Sequence, residues 1–192
     1  MKPPRRANPL QRGDNAPVFE AATLDGSAIQ VPPVESWILI SFLRYASCPM
    51  CNLRVRELSL ATAELEAHNV TWVAVFHSPA ARLGRHFHGD ASHHIIADPG
   101  RRLYELFGVG RSWWGMVITM LAPSFYWRFV RASVLGYWGG LIDDSFHSMP
   151  ADFLVSPNGE ILLARYGKHI GDHLDLDSIA AVVQPVAGKI SS

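Results

Sequence analysis

Residues 37–58 read WILISFLRYASCPMCNLRVREL. The opening run, Trp37–Leu43, is almost unbroken apolar and of strand length, which predicts a strand buried on both faces. From Pro49 to about Ala67 the period becomes helical. Cys51, Val55, Leu58, Thr62 and Leu65 fall on one face, with Arg54, Glu57, Glu64 and His68 elsewhere. Between strand and helix sits SCPMC, which holds both cysteines of the 192-residue chain, Cys48 and Cys51.

Pro49 is suited to the first helical turn, so Cys48 is expected at the helix N-cap. There the free backbone N–H groups and the positive end of the helix dipole favour an anion. A thiolate in that setting falls to a pKa of about 3.5–7.5, against about 8.5 when free. Cys51, one turn further on, lies on the apolar face and is expected to be the more buried sulfur. Cys48 is therefore the attacking thiol and Cys51 the one that resolves it into a disulfide. With two cysteines in all, no other residue of the chain offers a resolving thiol. A bridge between such near neighbours closes a small loop and stabilises little, so the pair is chemical or incidental rather than a structural staple.

Three other readings stand beside this one. C-x-x-C is also half a zinc site, and nine histidines are present, including His86 and His88 in HFH and the pair His93-His94. Without a second Cys or His pair at finger spacing, that pattern says little for metal, and the histidines read as a polar surface loop. The cysteines could instead be inert core residues, or the fold a scaffold without catalysis. No metal and no cofactor is expected.

Outward from the motif, the order of elements is α/β. GDNAPVFEAATLDGSAIQV (residues 13–31) predicts two short strands about the turn LDGS. VTWVAVF (residues 70–76) predicts a second buried strand, and Ser78-Pro79 a helix start with serine as cap. HIIAD is a short strand and RRLYELFG a short helix ending at glycine. ADFLV, the turn SPNG and EILLARYG form a hairpin, and DLDSIAAVVQ is the last helix. Residues 1–12 read as a flexible arm, 13–186 as one domain and 187–192 as a tail.

Lys+Arg and Asp+Glu balance at 17 each, so nothing electrostatic argues for nucleic acid. No stretch reaches the roughly 18–20 apolar residues of a membrane span. MKPPRRANPLQRGD has no apolar run after its arginines and does not read as a secretory signal. The cytoplasm is the expected compartment, and membrane association is not expected.

Residues 111–148 do not fit the α/β order and read as an insertion dense in aromatics, among them Trp113, Trp114, Phe125, Trp127 and Trp138. One account has Trp113, Trp114, Phe125 and Trp127 cap the domain's own core. Another is a homodimer interface, since Trp, Tyr and Arg anchor contacts. A third is an apolar wall for bulky hydroperoxides, or a membrane-surface contact through Met116, Val117, Met120 and Leu121 beside Arg128 and Arg131.

Strand–CPMC–helix, followed much later by Met149-Pro150 opening a hairpin, resembles the thioredoxin fold. GDNAPVFEAATLDGS, FLRYASCPMCNLRVREL, AVFHSPA, IIADPGRRLYELFGV and MPADFLVSPNGEILLARYGKHIGDH resemble the peroxiredoxin-like branch of the AhpC/TSA superfamily. The resemblance implies a thioredoxin-like fold with a central mixed sheet, Cys48 in the peroxidatic position and Met149-Pro150 as a cis-proline loop. It implies reduction of peroxides, with recycling by a thioredoxin-like or low-molecular-weight thiol, in proteins that are often dimers. General disulfide exchange and a non-catalytic binding module remain the alternatives. The superfamily's Pro-x-x-x-Thr/Ser-x-x-Cys pattern is absent: counted from Cys48, Tyr45 holds the hydroxyl position and Ser41 the proline position. Pro150 and Ala151 stand where an arginine is usual. Arg44 or Arg111, with Ser47 or Tyr45, are therefore the candidates to support the reacting sulfur.

Overall fold

The computed structural model describes residues 9–87, 89–137 and 147–190. In chain order it forms β1 (Phe19–Ala22), β2 (Ala28–Val31), β3 (Trp37–Phe42), α1 (Pro49–Leu60), α2 (Thr62–Ala67) and β4 (Val70–Phe76). Then come α3 (Ala80–Leu83), a short 3-10 turn, β5 (Ile95–Ala97), α4 (Arg102–Leu106), α5 (Trp113–Leu121) and α6 (Pro123–Val134). β6 (Ala151–Val155), β7 (Ile161–Tyr166) and α7 (Leu176–Ile190) complete the chain.

Five strands form one mixed sheet in the order β5-β4-β3-β6-β7. β3 runs parallel to β4 and antiparallel to β6, which places the strand that feeds the CPMC turn at the centre. Every residue of β3 is buried, as its apolar run requires. Alternate residues serve opposite faces: Trp37, Leu39 and Leu43 join the core under α1, while Ile38, Ile40 and Phe42 join the one under α4. The β1–β2 hairpin stands apart as a two-stranded sheet tied to the β5 edge through Thr23 and Ile96.

Several expectations change at this level. The helix after Pro49 breaks at Ala61, whose φ of −94° and ψ of 2° end α1 and open α2. Arg54 is not on an outer face but buried at 3 % exposure, because β6 supplies an acid beneath it. Ser78 does not cap α3. Pro79 holds that position, and the Ser78 hydroxyl instead accepts the Ala46 N–H at 2.9 Å. Met149-Pro150 is trans; among the described residues the cis bond is Val31-Pro32. An extended path explains the trans geometry, since Arg111 bridges Ser148 and the Met149 N–H reaches Gly110 O just before β6 begins.

The described part of the aromatic insertion forms two helices, α5 and α6. Trp113, Trp114 and Trp127 do not cap the core: they are 68 %, 77 % and 73 % exposed. Phe125 does pack against it. Trp138 lies outside the described residues, as do residues 1–8 of the expected arm. Leu10, also assigned to that arm, is buried and its N–H donates to the Tyr166 hydroxyl. α7 runs through Ile190, past the boundary expected at 186.

Candidate active site

Cys48 is the N-cap of α1, with extended backbone at φ −71° and ψ 116° and Pro49 opening the helix. The turn before it is held from several sides. The Cys48 N–H reaches Tyr45 O, and the Asn52 amide donates to both Ala46 O and Cys48 O at 2.8 Å. The His77 N–H donates to Arg44 O, and the Tyr104 hydroxyl closes on Leu43 O. Bonds from α1, α4 and the end of β4 thus hold the backbone of the turn and fix the loop without regular structure.

Both cysteines are reduced. Their burial is nearly equal, at 1 % for Cys48 and 3 % for Cys51, so the expected difference in depth is not what separates them. Charge is. Burial pushes the Cys48 thiol up, but a hydrogen bond from Cys51, the Arg44 guanidinium and the Cys51 and Met50 amides outweigh it and bring it to about 7. The amides act at the N-terminus of α1 without forming a full capping hydrogen bond. Burial pushes the Cys51 thiol up too, and there nothing outweighs it: donating a hydrogen bond to Cys48 while facing that sulfur's charge raises it well above the ordinary thiol. One sulfur is poised as a thiolate and the other kept as a thiol.

A cavity of about 130 Å³ opens at Cys48. Arg44, Tyr45, Cys48 and Pro49 form its inner wall, and Met50, Met116, Met120, Phe125, Phe129 and Ile170 make most of the rest apolar. Arg44 Nη1 is 4.0 Å from Cys48 Sγ, and the guanidinium also lies over the Tyr45 ring, 5.1 Å from its centroid. The Tyr45 hydroxyl is pushed up to about 12, by burial first and by the sulfurs' charge next, so it stays protonated at neutral pH as a donor.

The candidates from sequence therefore divide. Arg44, Tyr45 and Cys48 meet on one cavity wall, with Cys51 directly behind. Ser47 is buried in the same turn but is not part of the wall. Met149 and Pro150 are buried at the entry to β6, Met149 within the core cluster that holds both cysteines. Arg111 is exposed at the bridge to Ser148 and lies outside the cavity lining.

Sequence reasoning missed a buried charge cluster next to the site. Asp152 sits on β6 opposite Ser41 of β3, fully buried, with Arg54 Nη2 at 3.6 Å and His173 Nδ1 at 3.1 Å. The Leu174 N–H also donates to it, at 2.7 Å. Burial favours the neutral acid, yet the His173 and Arg54 charges prevail and hold the carboxyl at about 2. The signal was in the sequence: an acid inside the apolar run ADFLV has to be paired.

The AhpC/TSA family model matches residues 12–164. The chain belongs to the AhpC/TSA family. Its fold is similar to that of a reduced 2-Cys peroxiredoxin of Plasmodium vivax, at 16 % identity and a TM-score of 0.63, covering 95 % of this chain and 85 % of that one. A thiol peroxidase of Chromobacterium violaceum superimposes with a TM-score of 0.61 at 15 % identity, covering 96 % and 92 %. A putative thiol:disulfide interchange protein DsbE of Chlorobium tepidum gives 0.56 at 18 %, covering 93 % and 97 %. A search of curated proteins finds no match. Membership of this family makes the chain an enzyme of the thiol peroxidase or thiol-disulfide oxidoreductase class.

Proposed function

We propose that the protein reduces hydroperoxides through Cys48, with Cys51 as resolving thiol. The observation that carries this reading is the pairing of a low-pKa Cys48, open to a small cavity beside Arg44, with a protonated Cys51 behind it. The Cys48 thiolate attacks the terminal oxygen of ROOH and the O–O bond breaks. The alcohol ROH leaves after taking a proton from solvent, and Cys48 becomes a sulfenic acid. Cys51 sulfur then displaces that hydroxyl, a water leaves, and a disulfide joins the two cysteines. An external dithiol, of thioredoxin or low-molecular-weight type, returns the pair to thiols, and a reducing compartment such as the cytoplasm suits that cycle.

Burial of Cys48 favours peroxide over a protein disulfide. At 1 % exposure its sulfur is within reach of a small molecule entering the cavity, whereas a polypeptide disulfide, like a thioredoxin-type reductant later in the cycle, needs the turn to open first.

The test is titration of reduced protein with hydrogen peroxide, followed by mass analysis of the peptide that holds Cys48 and Cys51. Stoichiometric disulfide formation, with sustained turnover when a dithiol is supplied, is the expected result. Oxidation by small disulfides but not by peroxide would replace the reading with disulfide exchange. Inertness to both would leave a binding module.

A further inference from the structure

Two elements far apart along the chain supply parts of the Cys48 cavity wall. The start of α1 gives Pro49 and Met50, and the loop between β7 and α7 gives Ile170. That loop has no strand or helix of its own, so side chains and single bonds must hold it. Both elements are tied to one buried acid, Asp152 of β6. The Leu174 N–H donates to Asp152 Oδ2 at 2.7 Å, and His173 Nδ1 lies 3.1 Å from the same oxygen and 3.3 Å from Oδ1. Arg54 Nη2 reaches that oxygen from α1 at 3.6 Å. Arg54 follows Met50 by four residues and Cys51 by three, so it stands one turn on along their face of the helix. His173 and Leu174 stand as close after Ile170 in the loop.

We propose that Asp152 is a positioning residue that sets the size limit on what reaches Cys48, by holding α1 and the Ile170 loop at a fixed separation; this limit applies to any electrophile that enters by the cavity, peroxide or not. An acid inside a buried strand is stable only while its charge is matched. Here the matching groups come from two elements, and neither can move away without leaving the carboxylate uncompensated. The loop is seated from two further sides. The Thr119 hydroxyl of α5 accepts the Ile170 N–H at 3.1 Å and donates to Gly115 O at 2.7 Å. Arg128 of α6 lies over Gly171, where a Cβ would meet its Cδ at 3.4 Å. Arg128 also carries a second tie to α1, through Glu57 at 3.1 Å. Those two side chains keep 26 % and 22 % exposure, whereas Arg54 and Asp152 keep 4 % and 0 %. Water screens the outer pair and not the inner one, so the inner tie governs.

The cavity is small enough for such a limit to act. Its volume of about 130 Å³ falls below the roughly 300–1,000 Å³ that encloses a drug-sized ligand. Met50 and Ile170 are both buried, and close-packed walls widen only when the elements that carry them move. Asp152 touches neither the cavity nor the sulfurs, and acts through Arg54 on one wall and through His173 and Leu174 on the other.

The experiment uses the full reduced chain. Alkylation rates of Cys48 are measured with a small reagent, iodoacetamide, and a bulky one, N-phenylmaleimide, with mass mapping of the label. Their ratio is divided by the same ratio for glutathione, and the wild type should strongly favour the small reagent. Asp152→Asn keeps the size and an acceptor for the Leu174 N–H but loses the charge, and His173→Leu loses the donor. Each should shift the ratio toward the free thiol by about threefold or more, the scale of coupling within one bonded network. His173→Asn, whose amide offers a donor near the place of Nδ1, should restore most of the selectivity. Val73→Ala weakens the core on the other face of the sheet, and Glu57→Gln breaks the outer tie; both should stay near the wild type. A wild type no more selective than glutathione overturns the size limit. Unchanged selectivity in Asp152→Asn and His173→Leu overturns the role of Asp152, and if Asp152→Asn does not fold, His173→Leu decides alone. An equal shift in Val73→Ala overturns it in favour of general loosening, and His173→Asn behaving as His173→Leu overturns the bonded tie.

Discussion

The Arg44 guanidinium stands 4.0 Å from Cys48 Sγ while the backbone N–H of the same residue donates to Cys51 Sγ at 3.3 Å. One residue thus touches both sulfurs with different groups. The charged end favours the thiolate on Cys48, and the amide holds Cys51 in place behind it. On Cys51 that amide is a small influence against burial and the neighbouring sulfur, which keep the thiol protonated.

Alkylation by iodoacetamide should therefore rise as pH climbs through about 7 and then level off, with label on Cys48 before Cys51. Arg44→Met removes a neighbouring cation and should raise the Cys48 pKa by about one unit, which lowers the thiolate fraction at pH 7 from about a half to about a tenth. Rate against pH, with mass mapping of the labelled peptide, measures both. A variant profile superimposable on the wild type would remove Arg44 from the account of Cys48.

Replacing each cysteine should split the cycle in two. Cys48→Ser should abolish peroxide turnover. Cys51→Ser should allow one rapid oxidation of Cys48 and then stall as the sulfenic acid or its over-oxidised forms, visible as added oxygen by mass. Full activity in Cys48→Ser would place the nucleophile elsewhere.

The buried strand β3 and the CPMC turn were legible because their signals are local. Seven residues of apolar run, a proline after a cysteine and a 3.6-residue period need no knowledge of the rest of the chain. What the sequence concealed depends on contacts distant along it. Arg54 fell off the apolar face by helical period, and its burial was hidden because its partner Asp152 is on another strand; Ser78 looked like a helix cap because Ala46, which uses its hydroxyl, lies on another loop. Arg44 and Arg111 were equal as candidates until folding placed one beside Cys48 and the other outside the cavity. The aromatic segment was recognised as unusual, but which side of each helix faces water depends on where the helices dock.

Asp152 should be the acid whose loss harms stability most. Its carboxyl is held down in the folded state, so its contribution is complete above the unfolded value of about 3.9 and is lost as pH falls through about 2. At neutral pH, Asp152→Ala leaves the Arg54 charge buried without its acid and should cost about 3–5 kcal/mol in urea denaturation. Arg54→Met/Asp152→Leu removes both charges and should cost less than Asp152→Ala alone. A double variant that is the sum of its singles would show that the two side chains do not act as a pair.

Gly115 and Met149 should behave as a packed pair. A Cβ built on Gly115 overlaps Met149 Sδ and comes within 3.3 Å of Lys168 O, so α5 seats against the entry to β6 only because position 115 has no side chain. Alanine is the better helix former by about 1 kcal/mol, and on propensity alone Gly115→Ala would stabilise. Overpacking costs about 1–3 kcal/mol and should win, because Met149 is buried and has little room to retreat. Met116 and Thr119 ride on the same helix and line the cavity, so a displaced α5 should also lower peroxide turnover. Met149→Ala opens the space that the new methyl needs. Gly115→Ala/Met149→Ala should therefore recover part of both losses, with a coupling above about 0.5 kcal/mol in a double-mutant cycle. Strict additivity of the two substitutions, in stability and in turnover, would sink this account of how α5 is seated.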